Sequence, residues 1–197
     1  MNNYNDIKKY VKNHNGMITA KDFKNQKISF YFINKLIFDN IIEKVSRGIY
    51  NKTQDFEDEY FIMGQKYQKM VFSYNTSLYF LDKTEVTPYR MDITVPNGYN
   101  VHRIPRNVVT HYVPKKYLNL GAIKIKTPFG NEVMSYNLER TICDIIRSNN
   151  TGLDTEQINK VIRNAFLKNQ INGSLLMDYA KKLRCEKKVR AITEVLV

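Results

Sequence analysis

Cysteine is scarce in this 197-residue sequence, which holds only Cys143 and Cys185. They stand far apart with no C-x-x-C pairing, which excludes a disulfide framework or a zinc knuckle and suits a reducing cytoplasm. Histidine is equally thin: His14, His102 and His111 show no metal-ligand spacing with one another or with the cysteines. No span approaches the ~20 apolar residues of a membrane helix. The opening MNNYNDIKKY has no apolar core of the kind a secretory leader carries. Neither G-x-x-x-x-G-K-[ST] nor G-x-G-x-x-G occurs, so nucleotide cradling has no support, and no repeat or low-complexity tract interrupts the chain. The expectation is a cytoplasmic protein with no metal, no cofactor and no membrane segment.

Positive charge is abundant. Lys and Arg number 31 against 19 Asp and Glu, for a net +12 and a pI near 9.5. Through Asp55 there are ten basic and five acidic residues; the remaining 142 residues carry 21 and 14. Both parts are therefore basic, which favours a polyanionic partner, although a lysine-rich solvated surface gives the same count. Hydrophobic residues make up 43%, enough for a buried core.

Apolar spacing predicts a helix over Tyr4 to His14, through Tyr4, Ile7, Tyr10 and Val11. Asn15-Gly16 ends it, and Thr19 is placed to cap a short helix from Ala20 to Asn25. A third helix is expected from Ser29 to Asp39, with Ile28, Phe32, Ile33, Leu36 and Ile37 as its apolar stripe. Ile41, Ile42 and Val45 resume the pattern before Ser46-Arg47-Gly48-Ile49, a tight turn leading into Tyr50-Asn51-Lys52. Three helices followed by a hairpin is the order of a winged helix-turn-helix, here residues 1–53.

Residues 54–59 are acidic and polar and form the expected boundary. Beyond it, residues 56–197 predict helices over Phe56 to Met70 and from Asn75 or Thr76 to Leu81. Strands are predicted at Met91 to Val95, Val108 to Val113, Ala122 to Thr127 and Glu132 to Tyr136, the last two joined by Pro128-Phe129-Gly130-Asn131. Helical spacing then runs from Asn137 onward. The fold class is α+β: the winged helix-turn-helix, then a mixed domain of a small sheet and C-terminal helices.

A helix presented in this way enters the major groove, where exposed side chains reach base edges and neighbours hold phosphates. The exposed set is Ser29, Phe30, Tyr31, Asn34 and Lys35, with Lys27 just before it on phosphate. Asn34 suits adenine, and Lys35 suits guanine or a phosphate. Arg47 at the hairpin tip suits a minor groove, with Tyr50 and Lys52 flanking it on the DNA backbone. Phe30 and Tyr31 equally suit a contact with the second domain, and a trihelical winged fold can also bind proteins. A second basic cluster, Lys160, Arg163, Lys168, Lys181, Lys182, Arg184, Lys187, Lys188 and Arg190, is opposed only by Asp178 and Glu186. It is either a source of further phosphate contacts or a solvated helical face.

Signals for catalysis are weak, and no catalytic residue is assigned. A Cys143 nucleophile would need His102 or His111 beside it. A metal nuclease would need Asp92 and Glu132 near Lys124 or Lys126, which also read as ordinary strand positions. Arg140 and Asp144, four apart on one helix, are expected to form a structural salt bridge.

The run Gly16-Met-Ile-Thr-Ala20, then Ile28-Ser29, Leu36, Ile42 and Val45-Ser-Arg-Gly-Ile-Tyr50, resembles the winged-helix signature of the AbiEi antitoxins of bacterial type IV toxin-antitoxin and abortive phage-infection systems. Thr76-Ser77-Leu78, Ile93-Thr-Val-Pro96 with Gly98, Met134-Ser135 and Glu139-Arg-Thr-Ile-Cys-Asp144 are similar to its second-domain motifs, in the right order. Asn40 departs from the usual Gly before the wing, but Asn also tolerates positive φ. The resemblance implies a repressor of its own operon that recognises promoter inverted repeats. It also implies that the C-terminal domain opposes a nucleotidyltransferase-like toxin without a stable complex. A direct protein-binding antidote and, last, a metal-dependent nuclease are the alternatives.

Overall fold

The computed structural model describes residues 3–84, 87–148, 155–168 and 170–196. The protein is of mixed α+β architecture. It divides into two compact units, residues 1–68 with 126–133, and residues 69–125 with 134–197.

In the first unit, helix α1 (Tyr4–Asn13) turns Ile7 and Val11, four apart, into the core. Strand β1 (Ile18–Thr19) leads directly into α2 (Ala20–Asn25). Thr19 caps α2 with a full capping box, its hydroxyl taking the Asp22 amide while the Asp22 carboxylate takes the Thr19 amide. Helix α3 (Phe30–Phe38) buries Ile33 and Leu36, and Phe32 and Ile37 on the same stripe are half-buried. Both α2 and α3 end in a Schellman motif whose left-handed residue is not glycine, Lys27 (φ 54°) and Asn40 (φ 56°) respectively. The Ile28 amide reaches the Phe23 carbonyl and the Ile41 amide reaches the Leu36 carbonyl.

Strands β2 (Ile42–Ser46) and β3 (Ile49–Lys52) form an antiparallel hairpin closed by Arg47-Gly48, where Gly48 has φ 72°. A bulge lies between Lys44 and Ser46. The two-residue β1, absent from the sequence reading, pairs on the other side of β3 and gives the order β1-β3-β2. Nine residues from these elements, among them Phe23, Leu36 and Tyr50, form one core. Each fully buried side chain of this size contributes roughly 1.5–3 kcal/mol.

The unit takes in more chain than residues 1–53. Asp58 caps α4 (Glu59–Lys66) and is itself fully buried, accepting hydrogen bonds from Phe61 N, Thr127 Oγ1 and Asn131 Nδ2. Asn131 in turn accepts the Met17 amide. A buried carboxylate must be satisfied, and two of its three donors here come from the 126–133 segment.

The second unit is built on a five-stranded mixed sheet of order β6-β5-β4-β8-β7. Its strands are β4 (Val71–Phe72), β5 (Met91–Pro96), β6 (Val108–Val113), β7 (Ala122–Lys126) and β8 (Glu132–Tyr136). The short β4 joins β5 antiparallel and β8 parallel. Helix α5 (Tyr74–Phe80) is capped at Ser73, two to three residues earlier than expected. Helix α6 (Leu138–Arg147) is buried along nearly its whole length, and α7 (Thr155–Leu167), α8 (Gly173–Lys182) and α9 (Glu186–Leu196) complete the unit. Among the described residues, no helix is long and apolar enough to cross a membrane.

Candidate nucleic-acid interface

Helix α3 turns its apolar stripe inward, so the remaining positions face out as one patch. Phe30, Asn34 and Phe38 follow one another four residues apart, and Tyr31 lies beside them. Phe30 is 68% exposed, Tyr31 69% and Phe38 89%, and Asn34 is also exposed. Ser29 is exposed at the N-cap and makes no side-chain hydrogen bond to the helix. Lys27, exposed in its left-handed conformation, stands one turn before Tyr31. No acidic residue occupies the first turn of α3.

Lys35 sits at the flank of this face. Its Nζ lies 4.5 Å from the centroid of the Tyr4 ring, which Lys8 also covers at 4.7 Å. Tyr4 stacks on Phe32 and donates its hydroxyl to Asp39. Desolvation, reinforced by the Asp39 carboxylate, pushes the Tyr4 phenol up to about 12, so the ring stays neutral beneath the two cations.

Arg47 is exposed at the hairpin tip and makes no hydrogen bond or ion pair among the described residues. The two residues expected beside it stand elsewhere. Tyr50 is 4% exposed and packs edge-on against Phe23, because β1 makes β3 a central strand and closes over it. Lys52 is tied to the His14 carbonyl at 3.2 Å and the Asp55 carboxylate at 2.8 Å. The exposed set is therefore Lys27, Ser29, Phe30, Tyr31, Asn34 and Arg47, with Lys35 at its edge. Lys21 and Lys24 on α2 and Lys44 on β2 are also exposed and were missed. Their signal was helical phase: 21 and 24 lie on the side of α2 away from buried Phe23.

In the second unit, the cations of α7 to α9 are all exposed: Lys160, Arg163 and Lys168; Lys181, Lys182 and Arg184; Lys187, Lys188 and Arg190. Lys182 is paired with Asp178 at 2.6 Å and Arg190 with Glu186 at 3.1 Å. Exposed pairs of this kind hold a side chain weakly, which leaves these side chains open to an anion.

The catalytic signals resolve differently. Asp92 is buried, and its carboxylate bonds His111 Nε2 at 2.7 Å, while the imidazole stacks on Tyr74 at 3.8 Å. Among the described residues no group of three His, Cys, Asp or Glu can hold a metal ion. Cys143 is fully buried beside Cys185, whose thiol points at the Cys143 carbonyl. The hydrogen bond with Cys185 and burial push the Cys143 thiol up, away from the lowered range that activates a thiol, and no histidine partners it among the described residues. The salt bridge expected on α6 forms: Arg140 Nε bonds Asp144 at 2.8 Å with both side chains buried. Arg140 Nη1 also donates to the carbonyls of Tyr117 and Leu120.

No family model matches the chain, and no curated protein matches it. Among solved structures, the chain is similar to the crystal structure of the RV2827C protein from Mycobacterium tuberculosis. The match covers 95% of this chain and 78% of that one, at 10% identity and a TM-score of 0.44. A likeness of that strength carries no argument about function.

Proposed function

We propose that this protein is an AbiEi-type antitoxin of a bacterial type IV toxin-antitoxin, or abortive-infection, system. It acts in the cytoplasm as a repressor of its own operon and neutralises a nucleotidyltransferase-like toxin. Residues 1–53 are read as a winged helix-turn-helix that binds promoter inverted repeats, with α3 in the major groove and Arg47 at the wing tip. The observation that carries this reading is the exposed, acid-free face of α3 together with the unpaired Arg47 on a two-residue turn. The order of helices and hairpin in this segment supports it, as does a net positive charge in both parts of the chain.

The exposed cations of α7 to α9 add phosphate contacts in this reading. The test is a mobility shift on DNA upstream of the gene across a salt series. Arg47→Ala should weaken binding by roughly tenfold, and Lys187→Ala with Lys188→Ala should flatten the salt slope by about 0.9 per lost phosphate contact. Equal binding by all variants and wild type overturns the repressor reading. Rescue of growth on co-expression with the neighbouring toxin gene tests the antitoxin part.

The bare aromatic rings of Phe30, Tyr31 and Phe38 favour one second reading, a direct protein-binding antidote. Stable co-purification with the toxin at physiological salt, lost in Phe30→Ala, would select it over the first.

A further inference from the structure

The exposed face of α3 is unusual for a surface meant to read guanine. The commonest specific contact to guanine is a bidentate arginine or lysine on its O6 and N7. Helix α3 has no arginine, and within residues 1–68 the only arginine is Arg47, off the helix in the hairpin turn. The one lysine of the helix, Lys35, lies at the flank over Tyr4. What the helix presents instead is one amide, Asn34, between bare aromatic rings: Phe30 and Tyr31 before it and Phe38 after it.

We propose that α3 is built to read A·T base pairs, with Asn34 paired to adenine and the rings of Phe30 and Tyr31 packed on thymine 5-methyl groups. This rests on the DNA-binding reading above and names its target. An amide matches the N6 donor and N7 acceptor of adenine. The thymine methyl is the one apolar feature of the major groove, and an exposed ring gains by covering it while a guanine-cytosine pair offers it only polar atoms. Arg47 points the same way by a separate route, since a guanidinium prefers the narrow minor groove of A·T stretches. Charge complementarity selects DNA over a protein partner for this face: the rings are bordered by Lys27 and Lys35, and no carboxylate occupies the first turn.

The experiment uses the full chain and duplexes recovered by it from a random library. Fluorescence anisotropy then compares three forms of the preferred duplex: unmodified, with deoxyuridine for thymidine, and with 7-deazaadenine for adenine. The expected outcome is an A·T-rich preferred site, a loss of roughly tenfold on removing the thymine methyls, and a similar loss on removing adenine N7. The methyl effect should vanish in Phe30→Ala with Tyr31→Ala, and the N7 effect should vanish in Asn34→Ala. All three side chains are exposed, and unchanged melting temperatures verify that the variants fold. A G·C-rich preferred site overturns the proposal, as does indifference of wild type to the modified bases, or aromatic variants that bind DNA as wild type does. Failure to retain any duplex at low salt overturns the DNA-binding reading itself, whereas the other failures leave that reading standing.

Discussion

The side-chain carbonyl of Asn131 accepts the backbone amide of Met17 at 2.8 Å, across 114 positions of sequence. Asn131 reaches it because its own amide is anchored on buried Asp58 at 2.7 Å. Gly16 is what leaves room: a Cβ there would lie 2.2 Å from Asn131 Oδ1, on a residue with φ +74°.

Gly16→Ala should therefore destabilise the protein, by about 1–2 kcal/mol from the backbone conformation alone and more from the clash. Asn131→Ala leaves the Met17 amide without its partner and takes one of two donors from Asp58 Oδ2, which Thr127 still bonds, at about 1–3 kcal/mol. The double variant should cost less than the sum, since removing Asn131 removes the clash. Urea melts of the four proteins measure the coupling; strict additivity would contradict it.

The left-handed residues after α2 and α8 are Lys27 and Arg184, each carrying a side chain where glycine is favoured. Lys27→Gly and Arg184→Gly should each stabilise by roughly 0.5–1 kcal/mol, the left-handed penalty less the greater freedom glycine has in the unfolded chain. Lys27→Gly should at the same time weaken DNA binding, so that melting temperature and affinity move in opposite directions. A variant that lost both would mean that Lys27 supports the fold.

Tyr50 belongs to the core, where it meets Phe23 at 5.4 Å. Tyr50→Ala should cost about 3–5 kcal/mol, as for other large-to-small aromatic changes. Tyr50→Phe should keep the affinity for DNA within twofold, by anisotropy. A large affinity loss in Tyr50→Phe with an unchanged melt would restore the hydroxyl to the interface.

Asp144 holds Arg140 at 2.8 Å and Arg147 at 3.2 Å, and the Arg140 side chain is fully buried. Asp144→Ala strips a buried guanidinium of its counter-charge and should cost about 3–5 kcal/mol. Since the proposed DNA contacts lie on other residues, any loss in a reporter test of the proposed repression should track the fraction unfolded. Chemical denaturation beside a reporter assay separates the two effects.

Much of the candidate interface was legible because it is set locally. The 3.6-residue period puts Ile33 and Leu36 inside, and therefore Phe30, Asn34 and Phe38 outside, whatever surrounds the helix. Thr19 and Asp22 close a capping box within four residues, and Arg47-Gly48 makes a turn that needs only its own glycine. The strand segments from Met91 to Tyr136 were readable from local signals too, since β-branched and aromatic residues fill them and Pro128-Phe129-Gly130-Asn131 marks the turn between the last two.

The misses come from partners far away in the chain. Nothing near Tyr50 announces that Ile18 pairs with it, yet that pairing makes β3 central and removes the ring from the surface. Lys35 looks like an ordinary exposed cation until Tyr4, 31 positions earlier, lies beneath it. Two-residue strands such as β4 carry no period to detect. By itself the sequence determined the helices, the hairpin and the outward face of α3, because backbone propensity and amphipathic spacing act over a few residues. Only the tertiary structure decided which of those outward residues stay free. It alone brought Cys143 beside Cys185 and joined residues 126–133 to the first unit, because burial and hydrogen-bond satisfaction are settled between segments that the sequence holds far apart.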